Sequence, residues 1–275
     1  MGHPKMSDQE AKDFFVNLGK QLAEGIDIFD GFRIRRISEE DIQDFQNYLF
    51  TLPIPSISGR SFVIEKHITD EDKLYPDIHK TMLNIVLALR LLKKGSVRGN
   101  AVFNILLSDK RSIQLISWEE ESAPQTISSM YVLSLDEIPE LKRLSKSIQK
   151  IDFAKNKSLH LACKRFQKAY GESDDEDKLI DFMIAFEALF LKGEKTGSSS
   201  GQVIAVACSV LLGKNNEERQ DILDFMNKAY SLRNHLVHGS ECKESIDICT
   251  AQYSLREFVG KLEEYLRDSV KKFLN

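Results

Sequence analysis

The chain has 275 residues, 42% of them apolar and 29% charged, with a formal net charge of −4. That length suits one large or two ordinary globular domains, with a core of useful size and no need of metals or crosslinks. The charge balance excludes a global basic field that would gather nucleic acid, and the longest apolar run, "MLNIVLALRLL", is about half a membrane span and contains Arg90.

The N-terminal half mixes periodicities. "SDQEAKDFFVNLGKQLAEG" has helical spacing at Phe14, Phe15, Leu18 and Leu22, with Ser7 or Asp8 as its cap. "GFRIRRI" alternates as a strand does. "SEEDIQDFQNYLF" opens on a capping-box pattern, Ser38 to Asp41, and predicts a helix. "LPIPSISG" is a proline-broken loop, and "SFVIEKHI" a further strand. Residues 77–94 predict a strongly apolar helix stopped by Gly95. "NAVFNILLS", "RSIQLIS" and "SMYVLSL" read as strands.

From Asp136 onward no segment reads as a strand. Helices are expected at about 136–171, with a break near 150, and at about 174–192, 202–213, 216–238 and 245–273. Short connectors carry Gly171, "GEKTGSSSGQ", Gly213 and Gly239. "TGSSSG" is too short for a domain linker and reads as a mobile interhelical loop; no GK[ST] follows, so it is not a phosphate-binding P-loop. The expected architecture is mainly α. An α+β domain over 1–133, of unknown role, precedes an all-α helical bundle over 134–275.

Charge is uneven along the chain. Lys142 to Lys168 holds nine Lys or Arg and one acid, Asp152, and Glu172 to Asp177 holds five acids. Such runs are ordinarily solvated helix faces; the sharper reading of the basic one is a contact for a polyanion. Its aromatic interleaving is thin (Phe153, Phe166, Tyr170), so no base-stacking platform is evident. Cys163, Cys208, Cys242 and Cys249 lack CxxC spacing, and Cys163 and Cys208 sit in apolar helical contexts, as buried free thiols do in a reducing compartment. "MGHPKMSDQE" is polar without a signal-peptide pattern, and Met1-Gly2 lacks Ser or Thr at position 6, so no myristoylation is indicated. A cytoplasmic protein that does not enter a membrane is expected.

Two charges stand on the wrong faces. At about 100° per residue, the helix over 177–192 has an apolar stripe of Leu179, Ile180, Met183, Phe186 and Phe190. Lys178, Asp181, Ala185, Ala188 and Lys192 fall opposite, on the expected water side. Glu187 lies only about 40° from the stripe's centre. On 216–238 the stripe is Ile222, Phe225, Met226, Ala229 and Leu236, and Arg233 lies about 20° from its middle. A buried ion without a partner costs several kcal/mol, so opposite charges on neighbouring helices are expected to face each other or to share a polar cleft. The bland reading is a structural Glu187–Arg233 pair. The sharper one is an arginine held by Glu187 while its remaining donors meet a phosphate, whose oxygens its planar fork matches. His238 follows Arg233 by five residues, about 140° around a straight helix. The two converge only if the helix loosens before Gly239 or a second subunit completes the site. His235 points elsewhere, as a surface or interface residue.

"RNHLVH" resembles the mark of the HEPN superfamily: an Arg with a polar residue straight after it, then four to six residues to a His. Arg233, Asn234 and His238 match it. The surroundings resemble the Apea-like HEPN branch. "LIDFMIAFEALFL" is similar to its helix with an acid ahead of a small-hydrophobic pair, "AVACSVLLG" to its next helix, and "AYSLRNHLVHG" to its Tyr-x-x-Arg…Val-His-Gly signature. The likeness covers about residues 136–275. Where the branch often carries an arginine in the "AVACSVLLG" helix, this chain has apolar residues, which would remove one phosphate contact. The resemblance implies a metal-independent endoribonuclease, active as a homodimer with a composite site, in antiviral defence or as a toxin, although some members keep the fold without catalysis.

On that resemblance the catalytic candidates are Arg233, His238, Asn234 and Glu187, with RNA as substrate and no cofactor. His238 would serve as base or acid, Arg233 would stabilise the phosphorane, Asn234 would orient phosphate or sugar, and Glu187 would fix Arg233. The product would be a 2′,3′-cyclic phosphate. The alternative is a non-catalytic HEPN-fold module for RNA or nucleotide binding or for dimerisation. A metal site at His235, His238, Cys242 and Cys249 has no standard zinc spacing, and no GxSxG elbow supports hydrolase chemistry.

Overall fold

The structure, a computed structural model, describes residues 25–41, 43, 62–67, 75–95, 97, 101–107, 111–118, 131, 133–191, 200–239, 245–248 and 251–274. They are mainly helical. The expected helix before residue 25, the "LPIPSISG" loop, most of "GEKTGSSSGQ", and Cys242 and Cys249 lie outside the described residues.

The described residues divide into two compact units. One draws on 1–82, 101–117 and 133–146, the other on 83–100, 118–132 and 147–275. In the first, β1 (Ile26–Phe29), β2 (Phe32–Arg36) and β3 (Phe62–Lys66) form an antiparallel sheet in the order β1-β2-β3. β1 was not expected. Asp30 and Gly31 turn the chain with φ +45° and +74°, the backbone of a tight two-residue hairpin that an Asp-Gly pair tolerates. Alternation puts Ile28, Phe32 and Ile34 in the core. On the other face Arg35 bonds Glu65 on β3 at 2.6 Å and Asp41 at 2.9 Å. Ser38 and Asp41 cap the next helical turn: the Ser38 N–H donates to Asp41 at 2.8 Å and the Asp41 N–H to Ser38 at 3.1 Å. Burial alone would raise the Asp41 carboxyl, and the bonds from Arg35 and Ser38 more than reverse it, so the group is held below the usual range.

α1 (Tyr75–Leu92) follows, then the strand pair β4 (Ala101–Leu107) and β5 (Arg111–Trp118). "SMYVLSL" does not become a strand at its described residues, since Tyr131, Leu133 and Ser134 are irregular. The Tyr131 hydroxyl instead donates to the Leu89 carbonyl at 2.9 Å, and its ring lies where a Cβ at Gly95 (φ +147°) would come within 2.8 Å of it. A 3₁₀ turn, Leu135–Glu137, leads into α2 (Ile138–Lys150).

The second unit is a bundle built around α4. Its helices are α3 (Lys157–Ala169), α4 (Asp175–Phe190), α5 (Ser200–Leu212), α6 (Asn216–Val237) and α7 (Leu255–Leu274). Asp174 caps α4 by accepting from the Glu176 N–H at 2.7 Å, and Asp175, Glu176 and Asp177 complement the helix dipole. α3, α5, α6 and α7 all pack on α4. The expected water side of α4 is therefore a correction. Asp181 and Ala185 are buried as fully as the apolar stripe, because α3 covers them. Asp181 survives burial because Arg165 and Lys168 of α3 bond its two oxygens at 2.8 and 2.9 Å.

The expectation of no strand after residue 136 is likewise corrected. β6 (Ile246–Ile248) and β7 (Ala251–Tyr253) form a small hairpin ahead of α7, where a helix from 245 was expected. It packs beside α6 and α7, burying Ile246 and setting Tyr253 edge-on to Phe225, which stacks on Phe258 at 4.3 Å. Cys163 and Cys208 are free and buried, and burial pushes both thiols up to about 12. No described helix is long and apolar enough to cross a membrane.

Candidate functional site

α6 starts on Asn215, whose side chain accepts from the Glu218 N–H at 2.8 Å. Glu218 in turn accepts from the Lys214 N–H at 2.8 Å, a reciprocal pair of bonds that anchors the helix start. Ile222, Phe225, Met226 and Ala229 bury one stripe of the helix. That anchorage fixes where Arg233 and Asn234 emerge a turn later.

Arg233 meets Glu187 of α4. Its Nη2 lies 3.3 Å from Glu187 Oε1 and donates to Oε2 at 3.4 Å. Both side chains are 23% exposed, so the pair sits at the edge of the core with water within reach. Arg233 Nη1 donates to Asn234 Oδ1 at 3.1 Å. Arg233 Nε is buried and has no partner among the described residues. A guanidinium offers five N–H donors, and here two are used, loosely. Leaving the Nε–H dry and unbonded costs about 1–3 kcal/mol.

His238 closes the helix. Its N–H donates to the Asn234 carbonyl at 3.1 Å, and the Gly239 N–H to the Leu236 carbonyl at 2.9 Å. Gly239 takes φ +79°, the left-handed stop that glycine allows. The His238 side chain is exposed, and no hydrogen bond to its ring is formed among the described residues. It follows Asn234 by one turn, about 40° around the axis. The structure thus brings Glu187, Arg233 and Asn234 into bonded contact and sets His238 a turn beyond Asn234, on the solvent side. His235 is exposed as well.

The tyrosine of the Tyr-x-x-Arg pattern has a packing role that its sequence neighbours do not show. Tyr230, one turn before Arg233, lays its ring on the first turn of α5, where a Cβ at Gly201 would come within 2.5 Å of Tyr230 Cδ1. Only a residue without a side chain admits that approach. The signal was a glycine at the head of an apolar helix, read instead as loop.

Chemically, the cluster offers a permanent cation with spare donors, an amide able to turn toward a ligand, and an imidazole open to solvent. That set suits an anion with several oxygens, and an imidazole is a side chain that can give or take a proton. Compared with family models, curated proteins and solved structures, the chain finds no match.

Proposed function

We propose that the protein is a metal-independent endoribonuclease of the HEPN type. The observation that carries this reading is the Glu187–Arg233–Asn234 cluster with its underused guanidinium, in a helix whose end, one turn beyond Asn234, carries an exposed histidine. RNA supplies its own nucleophile. The 2′-oxygen attacks phosphorus as His238 takes the 2′-hydroxyl proton, and the P–O5′ bond breaks as an acid returns a proton to the 5′-oxygen. Arg233 carries the charge that builds on the phosphorane oxygens, Asn234 orients phosphate or sugar, and Glu187 positions Arg233 without touching substrate. The product is a 2′,3′-cyclic phosphate. One histidine per chain leaves the second proton-transfer role open, and a homodimer in which the partner's copy of the motif faces the same phosphate would fill it. On the same resemblance, the cellular setting is antiviral defence or a toxin-like stress response.

The exposure of His238 supports a chemical over a packing role, since a side chain open to solvent contributes little to the core. The test is cleavage of single-stranded RNA by the full chain in EDTA. Arg233→Ala and His238→Ala are each expected to slow it by at least about 100-fold with the melting temperature preserved. Cleavage that survives both substitutions overturns the reading. RNA binding without cleavage by the unsubstituted protein points to the non-catalytic module instead.

A further inference from the structure

We propose that the outer face of α3, together with Lys150 at the end of α2 and the turn between the two helices, is a docking track for the phosphate backbone of a single-stranded RNA. The choice of RNA rests on the ribonuclease reading, and the experiment below separates the two.

α3 contains no acidic residue between Lys157 and Ala169. Leu159, Ala162, Cys163, Phe166 and Ala169 are buried, which leaves Lys157, His160, Leu161, Lys164 and Lys168 on the outside. Two cations of the segment are committed elsewhere: Arg165 and Lys168 hold Asp181. Lys155 pairs loosely with Asp152 at 3.3 Å while 84% exposed. Lys150, Lys157 and Lys164 form no ion pair among the described residues. Other lysines of this unit sit beside acids of their own helix: Lys178 with Asp175 on α4, and Lys261 with Glu264 and Lys271 with Asp268 on α7. A helix with several cations and no acid of its own presents the charge that a polyanion contact needs.

The spacing also fits. Lys157 and Lys164 lie two turns apart on nearly one face, about 10.5 Å along the axis, so they reach separate phosphates of one strand. The exposed His160 ring stands 5.1 Å from Phe153, giving the track an aromatic edge for a base. A membrane surface would want a broad bulky apolar sector, and this face offers Leu161 alone.

The register of the hairpin places the track usefully. α3 and α4 are joined by residues 170–174 and pack along each other, with Arg165 on Asp181 and Phe166 6.2 Å from Phe182. In an antiparallel pair, the six residues up α4 from Asp181 to Glu187 match six down α3, from Arg165 to Leu159. The basic first turn of α3 therefore stands level with the Glu187–Arg233 pair. A strand gripped there is held at the height of the cluster.

The test uses the full chain and a fluorescent single-stranded oligonucleotide that is 2′-O-methylated throughout, which cannot be cut by 2′-oxygen attack. Its affinity is measured by anisotropy across a salt series. The triple variant Lys150→Gln, Lys157→Gln, Lys164→Gln is expected to bind at least about tenfold more weakly. The slope of log affinity against log salt should fall by about 2, from three contacts at about 0.7 each, with each single variant carrying about a third of the change. Loss of binding in the triple variant upholds the track even if unmodified RNA is never cleaved. Binding unchanged in the triple variant overturns it even if the protein is an active nuclease. Lysine-dependent capture by phosphatidylserine vesicles, with no binding of the oligonucleotide, overturns it in favour of a membrane surface.

Discussion

Two arginines of the helical unit face inward, and their surroundings treat them differently. Arg267 of α7 is 3% exposed, and both its Nε and its Nη2 are bonded within the fold. Its Nε donates to the Arg90 carbonyl at 2.9 Å, and its Nη2 bonds the Tyr170 hydroxyl at 3.2 Å and the Glu263 carboxylate. Tyr170 closes the ring by donating to Glu263 at 2.8 Å, and Arg90 lies over the Tyr170 ring. Arg233 of α6 is about a quarter exposed, bonds Glu187 at 3.4 Å, and leaves its buried Nε without a partner. One guanidinium has its Nε and Nη2 taken up by the fold. The other keeps a buried Nε without a partner, in a pair that water can reach. A buried donor met by the protein is architecture; one left unmet at an accessible edge can serve a ligand.

Substitution can break this contrast. Arg267→Met should cost the most stability, about 3–5 kcal/mol, because it strips the Arg90 carbonyl, Tyr170 and Glu263 of their shared donor. A urea midpoint near that of the unsubstituted protein would mean the network carries no weight. Asp181→Asn comes next at about 2 kcal/mol, since Arg165 and Lys168 are partly exposed and can rehydrate once released. Arg233→Met should move stability by no more than about 1 kcal/mol, because a long, partly exposed pair gives little and the orphaned Nε is removed with it. A loss as large as that of Arg267 would make Arg233 a structural residue.

The smallest effect concerns acid. The Ser254 N–H and hydroxyl both donate to Glu257, at 2.9 and 2.8 Å, and hold its carboxyl below the ordinary range. A depressed folded value means the cap supports α7 above the ordinary carboxylate pKa and loses that support as pH falls through the folded value. Glu257→Gln should flatten the fall of melting temperature in that window, and an unchanged pH profile would remove the cap from the account.

The helices of the second unit were legible because long 3.6-residue periodicity survives tertiary context. Expected ends at 174–192 and 216–238 compare with Asp175–Phe190 and Asn216–Val237. The Glu187–Arg233 meeting was legible for the same reason: each charge broke an apolar stripe that had to pack. Asp181 was not, because a helical wheel shows which face differs, not how many faces a central helix buries. The β6–β7 hairpin escaped because two three-residue strands are too short for alternation to show. β1 was legible in principle, since "IFDGFRIRRI" carries the Asp-Gly turn between apolar alternations. Gly201 escaped because its meaning lies in Tyr230, distant in sequence.

The central claim is that the Arg233 fork is held open for a phosphate, and Arg233→Lys tests it most directly. Lysine keeps the charge but loses the planar pair of donors. Single-turnover cleavage of RNA in EDTA should fall at least about 100-fold in this variant, with the urea midpoint unmoved. Cleavage at the unsubstituted rate, or no cleavage by the folded, unsubstituted protein, would contradict it.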